Sequence, residues 1–280
     1  MIGPVHPSEI DELAPMPGSL ARLAAIVGDE NADVAAIAKV IELDPALAAD
    51  VLRLVNSAWS ASAQPITSVR NAVVRLGGGR ILELTIGRWV ASRMGAPCGG
   101  YGLSEQELWR HAVAAALAAE RLGAHAGRRI PGAAYTAALL HDIGKIVLNR
   151  HLGPEALGRM KALLQRNGAT YLQCEREVLG TDHAEIGAAV GRHWELPEPL
   201  VHAIGNHHNP DGEGGPLLDA VHVANATAKL VGVGLGDEQM NMAASAAACE
   251  RLGLSPGGLE ALCADVAGDL AKTEELFGSA

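Results

Sequence analysis

The sequence of 280 residues predicts an all-α protein. Apolar residues recur at positions i, i+3, i+4 and i+7 over most of the chain, which is the pattern of helices buried along one face. Alternating apolar and polar runs, which would predict strands, are scarce. Hydrophobic residues make up 49% of the chain and charged residues 19%, which excludes the disordered and low-complexity classes. We therefore expect a helical fold with a substantial core.

Four or five helices are expected in the first third of the chain. Asp44 can cap a helix that begins at Pro45, because proline suits the first helical position. Ser68 can cap a further helix, and the glycines at 77–79 are expected to end it, because glycine accepts the left-handed geometry of a helix terminus. Asn56 is expected to stabilise the end of the helix that Asp44 opens.

A stretch rich in glycine at residues 95–102 is the best candidate boundary between two packed helical subdomains. We therefore predict an N-terminal helical subdomain (1–97), a second helical bundle (98–235) and a C-terminal helical tail (236–280). Helices in the second subdomain are expected at 104–122, 135–150, 181–194, 197–207 and 217–231. The glycine-rich run 232–236 is interpreted as a flexible connection.

Charge and composition exclude several classes of partner and location. The net charge of −10 and the aromatic content of 3% argue against nucleic-acid binding. No apolar run reaches the roughly 18 residues that a spanning helix needs, and the acidic residues at 9–12 do not suit a signal peptide. The four cysteines lack C-x-x-C spacing, so neither a thiolate zinc site nor a disulfide framework is expected. We expect a cytoplasmic protein without a membrane partner.

Histidine is the unusual feature, because five of the eleven lie on apolar faces of predicted helices. Burying an unpaired imidazole costs about 1–3 kcal/mol, so these groups should have partners. Any one of them could be a core histidine bonded to a carbonyl. Five together with an adjacent carboxylate favour a shared divalent metal, and such nitrogen and oxygen ligands suit iron, manganese or zinc. The candidate ligands are His111, His141, Asp142, His183, His207 and His208.

The segment His141-Asp142-Ile143-Gly144-Lys145 resembles the signature of the HD superfamily of metal-dependent phosphohydrolases. His111, His183 and the pair at 207–208 resemble its other ligands, in the order used by the HD-GYP branch. The resemblance implies that Asp142 takes part in the chemistry and that Lys145 contacts a substrate phosphate. The alternative is that Lys145 is a surface lysine whose stem covers apolar atoms.

Further motifs are similar to the HDOD family, and the resemblance covers about residues 13–230. The motifs are Asp44-Pro45-Ala46-Leu47, Asn56-Ser57-Ala58, Leu108-Trp109-Arg110-His111, Thr181-Asp182-His183 and Trp194-Glu195-Leu196-Pro197. The resemblance implies an all-helical signal-transduction module related to the HD hydrolases. Members of this family often keep only some of the metal ligands and have no settled reaction.

Two features depart from the hydrolase pattern, and a third, Glu107, can be interpreted in two ways. Asn225 aligns with a final aspartate of HD hydrolases, and the loop 209–216 is one residue shorter than in HD-GYP proteins and lacks their glutamate and tyrosine. Glu107 has the spacing of an extra HD-GYP ligand, but Ser104 and Glu107 also form a capping-box pattern, which we favour. Two metal ions would therefore be short of anionic ligands, so one ion or none are the alternatives.

These observations support two functional hypotheses. The leading one is a signalling module with a degenerate HD-type pocket, which acts by binding a signalling protein partner or a small nucleotide-like ligand. The competing one is an active metal-dependent phosphohydrolase that acts on a phosphomonoester or a cyclic dinucleotide. The oligomeric state cannot be predicted from the sequence.

Overall fold

The computed structural model describes residues 16–27, 33–56, 66–165, 169–212, 214–238 and 243–277. No β-strand occurs within these ranges, and one isolated bridge joins Cys98 to Leu103. The predicted all-α fold is therefore confirmed. None of the helices described is long and apolar enough to cross a bilayer.

Four helices make up the N-terminal part that the structure describes. They are α1 (Gly18–Val27), α2 (Val34–Glu42), α3 (Pro45–Val55) and α4 (Val69–Met94). The Asp44 carboxylate accepts hydrogen bonds from the backbone of Ala46 at 2.9 Å and Leu47 at 3.1 Å, so the predicted cap of α3 is confirmed. Ser68 accepts one from the Asn71 backbone at 3.2 Å and caps α4 as predicted.

A kink at Gly77 divides α4 into two helical parts. Gly77 has φ 78° and ψ 155°, a conformation that only glycine adopts readily, and helical geometry resumes at the next residue. The predicted helix end at these glycines is therefore confirmed. Beyond the kink the chain continues as a second helical part, which buries Ile81 and Ile86 in the core.

Asn56 connects the end of α3 to the chain before α4. Its side-chain amide donates to the carbonyls of Leu52 at 2.7 Å and Ile66 at 2.8 Å. Its side-chain oxygen accepts from the Ile66 backbone at 2.7 Å. The expected role at the end of this helix is confirmed. Of the motif that begins here, Ser57 and Ala58 lie outside the described residues, as does Glu213 of the later loop.

The remaining helices form a bundle around α5. They are α5 (Glu107–His125), α6 (Ala134–Leu140), α7 (Gly144–Leu148), α8 (Pro154–Leu164), α9 (Tyr171–Leu179), α10 (His183–His193), α11 (Glu198–Asn206), α12 (Pro216–Leu230), α13 (Ala246–Leu252) and α14 (Pro256–Phe277). Helix α5 contacts α6, α12 and α14, while α10 packs against α7 and α11. The α5 stripe is rich in alanine, and its small side chains let these neighbours approach closely.

One core runs through most of the described chain, from Met16 to Leu270. Trp89 on α4 and Trp194 at the end of α10 meet edge to face, with ring centroids 4.8 Å apart. This contact joins the N-terminal helices to the bundle. The division of the chain near residues 97 and 235 stays a prediction.

Two expectations for the bundle are wrong. The predicted helix at 135–150 is two short helices, α6 and α7, with a turn at residues 141–143. The run 232–236 is closely packed, because a Cβ on Gly234 would lie 2.5 Å from Cβ of His111 and one on Gly236 would lie 2.2 Å from the Tyr101 carbonyl oxygen. Glycine is needed there for close approach as well as for positive φ.

Candidate metal centre

The structure brings all six candidate ligands to one place. His111 comes from α5, His141 and Asp142 from the turn between α6 and α7, and His183 from the first turn of α10. The pair at 207–208 follows the last residue of α11. The convergence that sequence spacing suggested is therefore present in the fold.

The turn at 141–143 gives the His-Asp pair its orientation. Backbone bonds of the i to i−3 type run from Ile143 to Leu140 at 3.0 Å and from Lys145 to Asp142 at 3.0 Å. Such bonds are tighter than those of an α-helix and change the direction of successive side chains. Both His141 and Asp142 thereby face the bundle interior, where at most 1% of either residue is exposed.

Gly144 lets α7 lie directly on the start of α10. A Cβ at this position would lie 2.0 Å from the carbonyl oxygen of His183 and 2.6 Å from the backbone nitrogen of Gly187. These are backbone atoms, so no side-chain rotation could relieve the overlap. The missing side chain therefore allows the His-Asp turn and His183 to share one site.

The Asp142 carboxylate lies at the centre of four imidazoles. Its Oδ2 is 3.5 Å from Nε2 of His111 and 3.3 Å from Nε2 of His141. Its Oδ1 is 3.4 Å from Nε2 of His183 and 3.8 Å from Nε2 of His207. One carboxylate thus faces two pairs of rings, one pair on each oxygen.

Backbone hydrogen bonds set the tautomers of two rings. Nδ1–H of His141 donates to the Ala138 carbonyl at 2.6 Å, and Nδ1–H of His207 donates to the Ile204 carbonyl at 2.7 Å. The Nε2 atom of each ring therefore carries a lone pair that faces the site. Both Nε2 atoms and Oδ1 of Asp142 are buried without a hydrogen-bond partner.

His183 is oriented by Glu175, a residue that the sequence analysis missed. Nδ1–H of His183 and its backbone N–H both donate to Oε2 of Glu175, at 2.8 and 3.1 Å, and Tyr101 donates to Oε1 at 2.6 Å. Nε2 of His183 lies 2.8 Å from Nε2 of His208. Glu175 lies on the apolar face of α9, a helix that was not predicted from the sequence. A charged residue on such a buried stripe is unusual, and this was the available sign that Glu175 has a partner in the core.

His111 faces the side-chain amide of Asn225. Its Nδ1–H donates to the Val233 carbonyl at 3.0 Å, so its Nε2 carries a lone pair. That Nε2 lies 3.1 Å from Oδ1 of Asn225, which also has only lone pairs. Either a cation between them or rotation of the amide, so that its NH₂ donates, satisfies both atoms.

Lys145 is buried and paired on both sides, so the alternative of a surface lysine is wrong. Its Nζ lies 2.8 Å from Oδ2 of Asp142 and 2.8 Å from Oε1 of Glu238. The other oxygen of Glu238 lies 3.1 Å from Nζ of Lys229. Glu238 and Lys229 were not predicted, because they come from separate elements that meet only in the tertiary structure.

Burial and neighbouring charges shift the pKa values of the site. Burial lowers the pKa of His111 to about 4, and burial together with nearby imidazoles lowers those of His207 and His208. For Asp142 the effect of burial is opposed by His141 and Lys145, and its pKa falls well below the usual value. Burial also opposes protonation of His183, but Glu175 outweighs it and raises the pKa of that ring. The lowered pKa values favour neutral His111, His207 and His208 beside an ionised carboxylate, which are the protonation states that metal ligation requires.

Glu107 does not reach this site. Its Oε2 accepts hydrogen bonds from the backbone N–H of Ser104 at 2.5 Å and from the Ser104 hydroxyl at 2.8 Å. Glu107 therefore bonds back to Ser104 and is not a ligand. The predicted capping box is not formed, because the helix begins at Glu107 and its N-cap, Gln106, makes no side-chain capping bond.

The donor set fits a divalent cation. Two groups have ligand atoms within 4.8 Å of one another, and they are His111, His141 and Asp142 in one and His183, His207 and His208 in the other. Buried lone pairs without partners, and Nδ1 atoms held by carbonyls or a carboxylate, are the usual surroundings of metal-binding histidines. The residues present could therefore hold one ion in each group.

Comparison with known proteins agrees with the family resemblance of the sequence. A family model described as HDOD domain matches residues 13–210. The chain belongs to the HDOD family. An uncharacterized protein of Treponema pallidum (strain Nichols) is 28% identical over 229 residues, which are 79% of this chain and 43% of that protein.

Two solved structures share the HDOD fold over 95% of this chain. A protein from Marinobacter aquaeolei VT8, described as a signal transduction protein, matches with TM-score 0.74 and 25% identity over 59% of its length. A protein from Shewanella amazonensis SB2B, described as a phosphohydrolase, matches with TM-score 0.63 and 26% identity over 96% of its length. The chain thus spans less than two thirds of the Treponema and Marinobacter proteins.

Proposed function

We propose that this chain is a cytoplasmic HDOD signal-transduction module whose histidine-rich pocket binds one divalent cation and which acts by binding a partner. The observation that carries the proposal is the unpartnered Nε2 atom of His141 beside the Asp142 carboxylate. Leaving such a buried acceptor without a partner costs about 1–3 kcal/mol, and a cation would satisfy it.

Charge favours one ion over two. The pocket contains the carboxylates of Asp142, Glu175 and Glu238 and the ammonium groups of Lys145 and Lys229, so with neutral imidazoles its net charge is −1. One divalent cation would bring the charge to about +1 and two would bring it to about +3, which is costly away from water. We propose iron, manganese or zinc in the group of His111, His141 and Asp142, because this group includes the anionic donor.

Hydrolysis is the second candidate, and the clustering of all six candidate ligands favours it. A bound divalent cation would supply polarisation of a phosphoryl oxygen and a lower pKa for a bound water. However, the lysine that would meet a substrate phosphate is already paired with Asp142 and Glu238. The amide of Asn225 also stands where a further carboxylate would hold the metal. Both features favour binding without turnover.

The partner is proposed to be another signalling protein or a small nucleotide-like ligand. A cleft of about 120 Å³ opens beside the site and is lined by Thr170, Tyr171, Leu172, His183, His208, Lys229 and Glu238. This volume accommodates a phosphoryl group, and a whole nucleotide would extend outside it. The N-terminal helices are the proposed surface for a protein partner.

Metal analysis with an activity assay tests the proposal. We expect untagged protein to contain close to one equivalent of iron, manganese or zinc by plasma mass spectrometry, with no turnover of bis(p-nitrophenyl) phosphate. Absence of metal after purification and after reconstitution would contradict metal binding. Turnover that is lost in Asp142→Ala would instead establish the hydrolase.

Restoring the carboxylate at position 225 should increase metal loading. Asn225→Asp adds a negative charge 3.1 Å from His111, so we expect the metal content to rise from about one to about two equivalents. Asn149→Asp is a matched control, because it makes the same change at a residue that bonds the Gly100 backbone at 2.8 Å. Equal metal content in the two variants would contradict the role assigned to position 225.

A further inference from the structure

Glu238 is a buried carboxylate shared by two lysines. Its side chain is 8% exposed, and the side chains of Lys145 and Lys229 are 3% and 5% exposed. Each carboxylate oxygen faces one ammonium group, at 2.8 Å for Lys145 and 3.1 Å for Lys229. Burial opposes ionisation of Glu238, but the two lysines outweigh it and lower its pKa.

This carboxylate stands between the metal centre and the cleft. Glu238 and Lys229 line the cleft together with His183 and His208, while Lys145 lies behind them against Asp142. The Glu238 carboxylate is thus accessible to a ligand in the cleft, and Lys145 connects it to the Asp142 carboxylate of the metal centre. A ligand that enters the cleft would meet Glu238 before it met Lys145.

The segment that carries Glu238 is packed against the site. The 3₁₀ turn Gly236–Glu238 follows α12, and the Glu238 backbone N–H donates to the Leu235 carbonyl at 3.1 Å. Gly236, at φ 46°, lies against the Tyr101 carbonyl. The position of the carboxylate therefore depends on a defined turn, since the two residues before it are in close contact with the bundle.

The resemblance to HD hydrolases implies a phosphate contact for Lys145 alone. We propose that Lys229 is the second lysine of this oxyanion-binding subsite for a phosphate or phosphoryl group, and that Glu238 fills the subsite as an internal competitor. In Glu238, the two oxygens of one anion each face one lysine. A phosphoryl group can place two of its oxygens in the same way. A free phosphate ion and the phosphoryl end of a larger molecule share this chemistry. The inference deepens the proposed function by naming the ligand class, and its lysines bind an anion whether or not a metal is present.

Replacing the competitor should open the subsite. Glu238→Gln keeps the shape of the side chain and removes its charge, which leaves Lys229 without the acidic partner described for it. We expect inorganic phosphate to bind the variant at least tenfold more tightly than the wild type in calorimetric titrations of full-length protein treated with EDTA. Dimethyl phosphate, run in parallel, tests whether a diester is also accepted.

Two further variants control for charge and for position. Glu177→Gln removes one negative charge from an exposed residue of α9 and should leave phosphate affinity unchanged. Adding Lys229→Met to Glu238→Gln should cancel the gain, because one of the two ammonium groups is then missing. Circular dichroism and thermal melting check that each variant is folded, and phosphate should raise the melting temperature of Glu238→Gln above the rise seen in wild type.

The phosphate titrations test this inference independently of the proposed metal binding. Tighter phosphate binding by folded, metal-free Glu238→Gln supports the subsite even if the wild-type protein binds no metal. Equal affinity of Glu238→Gln and wild type for both anions overturns it, even if metal binds as proposed. A gain that survives Lys229→Met also overturns it. If Glu238→Gln does not fold with or without 50 mM phosphate, Glu238 is a structural ion-pair partner and the proposal is rejected.

Discussion

Gly144→Ala is expected to lower the free energy of unfolding by more than about 3 kcal/mol, because it overpacks a backbone contact. The new Cβ would lie 2.0 Å from the carbonyl oxygen of His183. This overlap can be relieved only if α7 and α10 separate, and the separation would also move Asp142 away from His183. Urea denaturation followed by circular dichroism measures the loss, and metal analysis of any folded fraction should show a parallel fall.

Gly158→Ala is the matched control for this prediction. Gly158 lies on the exposed face of α8, and a Cβ there would meet nothing within 4 Å. The same substitution should therefore stabilise the protein by roughly 0.5–1 kcal/mol, since alanine is the better helix former. Equal stability of the two variants would mean that α7 and α10 do not approach as closely as described.

Asp142→Asn is expected to reduce metal affinity by at least about 100-fold. The change removes the anionic donor that four imidazoles face and brings the net charge of the pocket from −1 to about zero. Lys145 keeps Glu238 as a partner, so the fold should survive with a smaller loss of stability than Gly144→Ala causes. Chelator competition monitored by plasma mass spectrometry measures the affinity.

Asp50→Asn controls for the loss of one negative charge. Asp50 forms a surface pair with Arg53 at 2.9 Å and contacts none of the candidate ligands, so metal affinity should remain at the wild-type value. Retention of metal by Asp142→Asn would place the binding site elsewhere. A fall of similar size in both variants would indicate a general effect of protein charge.

The sequence predicted a helix end correctly when the capping side chain bonds to a backbone group only a few residues away. Asp44 and Ser68 cap their helices as expected, since an N-cap bond depends on the next three residues. Gly77, at positive φ, ends the first helical part of α4 as expected, and a second part begins directly after it. The same limit explains why the turn at 141–143 was missed, because its neighbour His183 lies far away in sequence.

The candidate ligands could be predicted because an imidazole on an apolar helix face is costly unless it has a partner. Their supporting residues could not be predicted in the same way. Glu175 contacts His183 across two helices, and Glu238 meets Lys145 from a turn almost a hundred residues later. The position of Glu175 on the buried stripe of its helix was the one local signal, and the local pattern around Glu238 offers none.

The sequence by itself determined the helical class, most helix positions and the residue types that could hold a metal ion. Those properties depend on side-chain chemistry and on periodicity within a few turns of chain. Only the tertiary structure decided that Asp142 faces four imidazoles, and that Lys145 is already paired with Glu238. Both contacts depend on how closely separate helices approach one another. The contact of Gly144 with His183 is an example, because these two residues are distant in sequence.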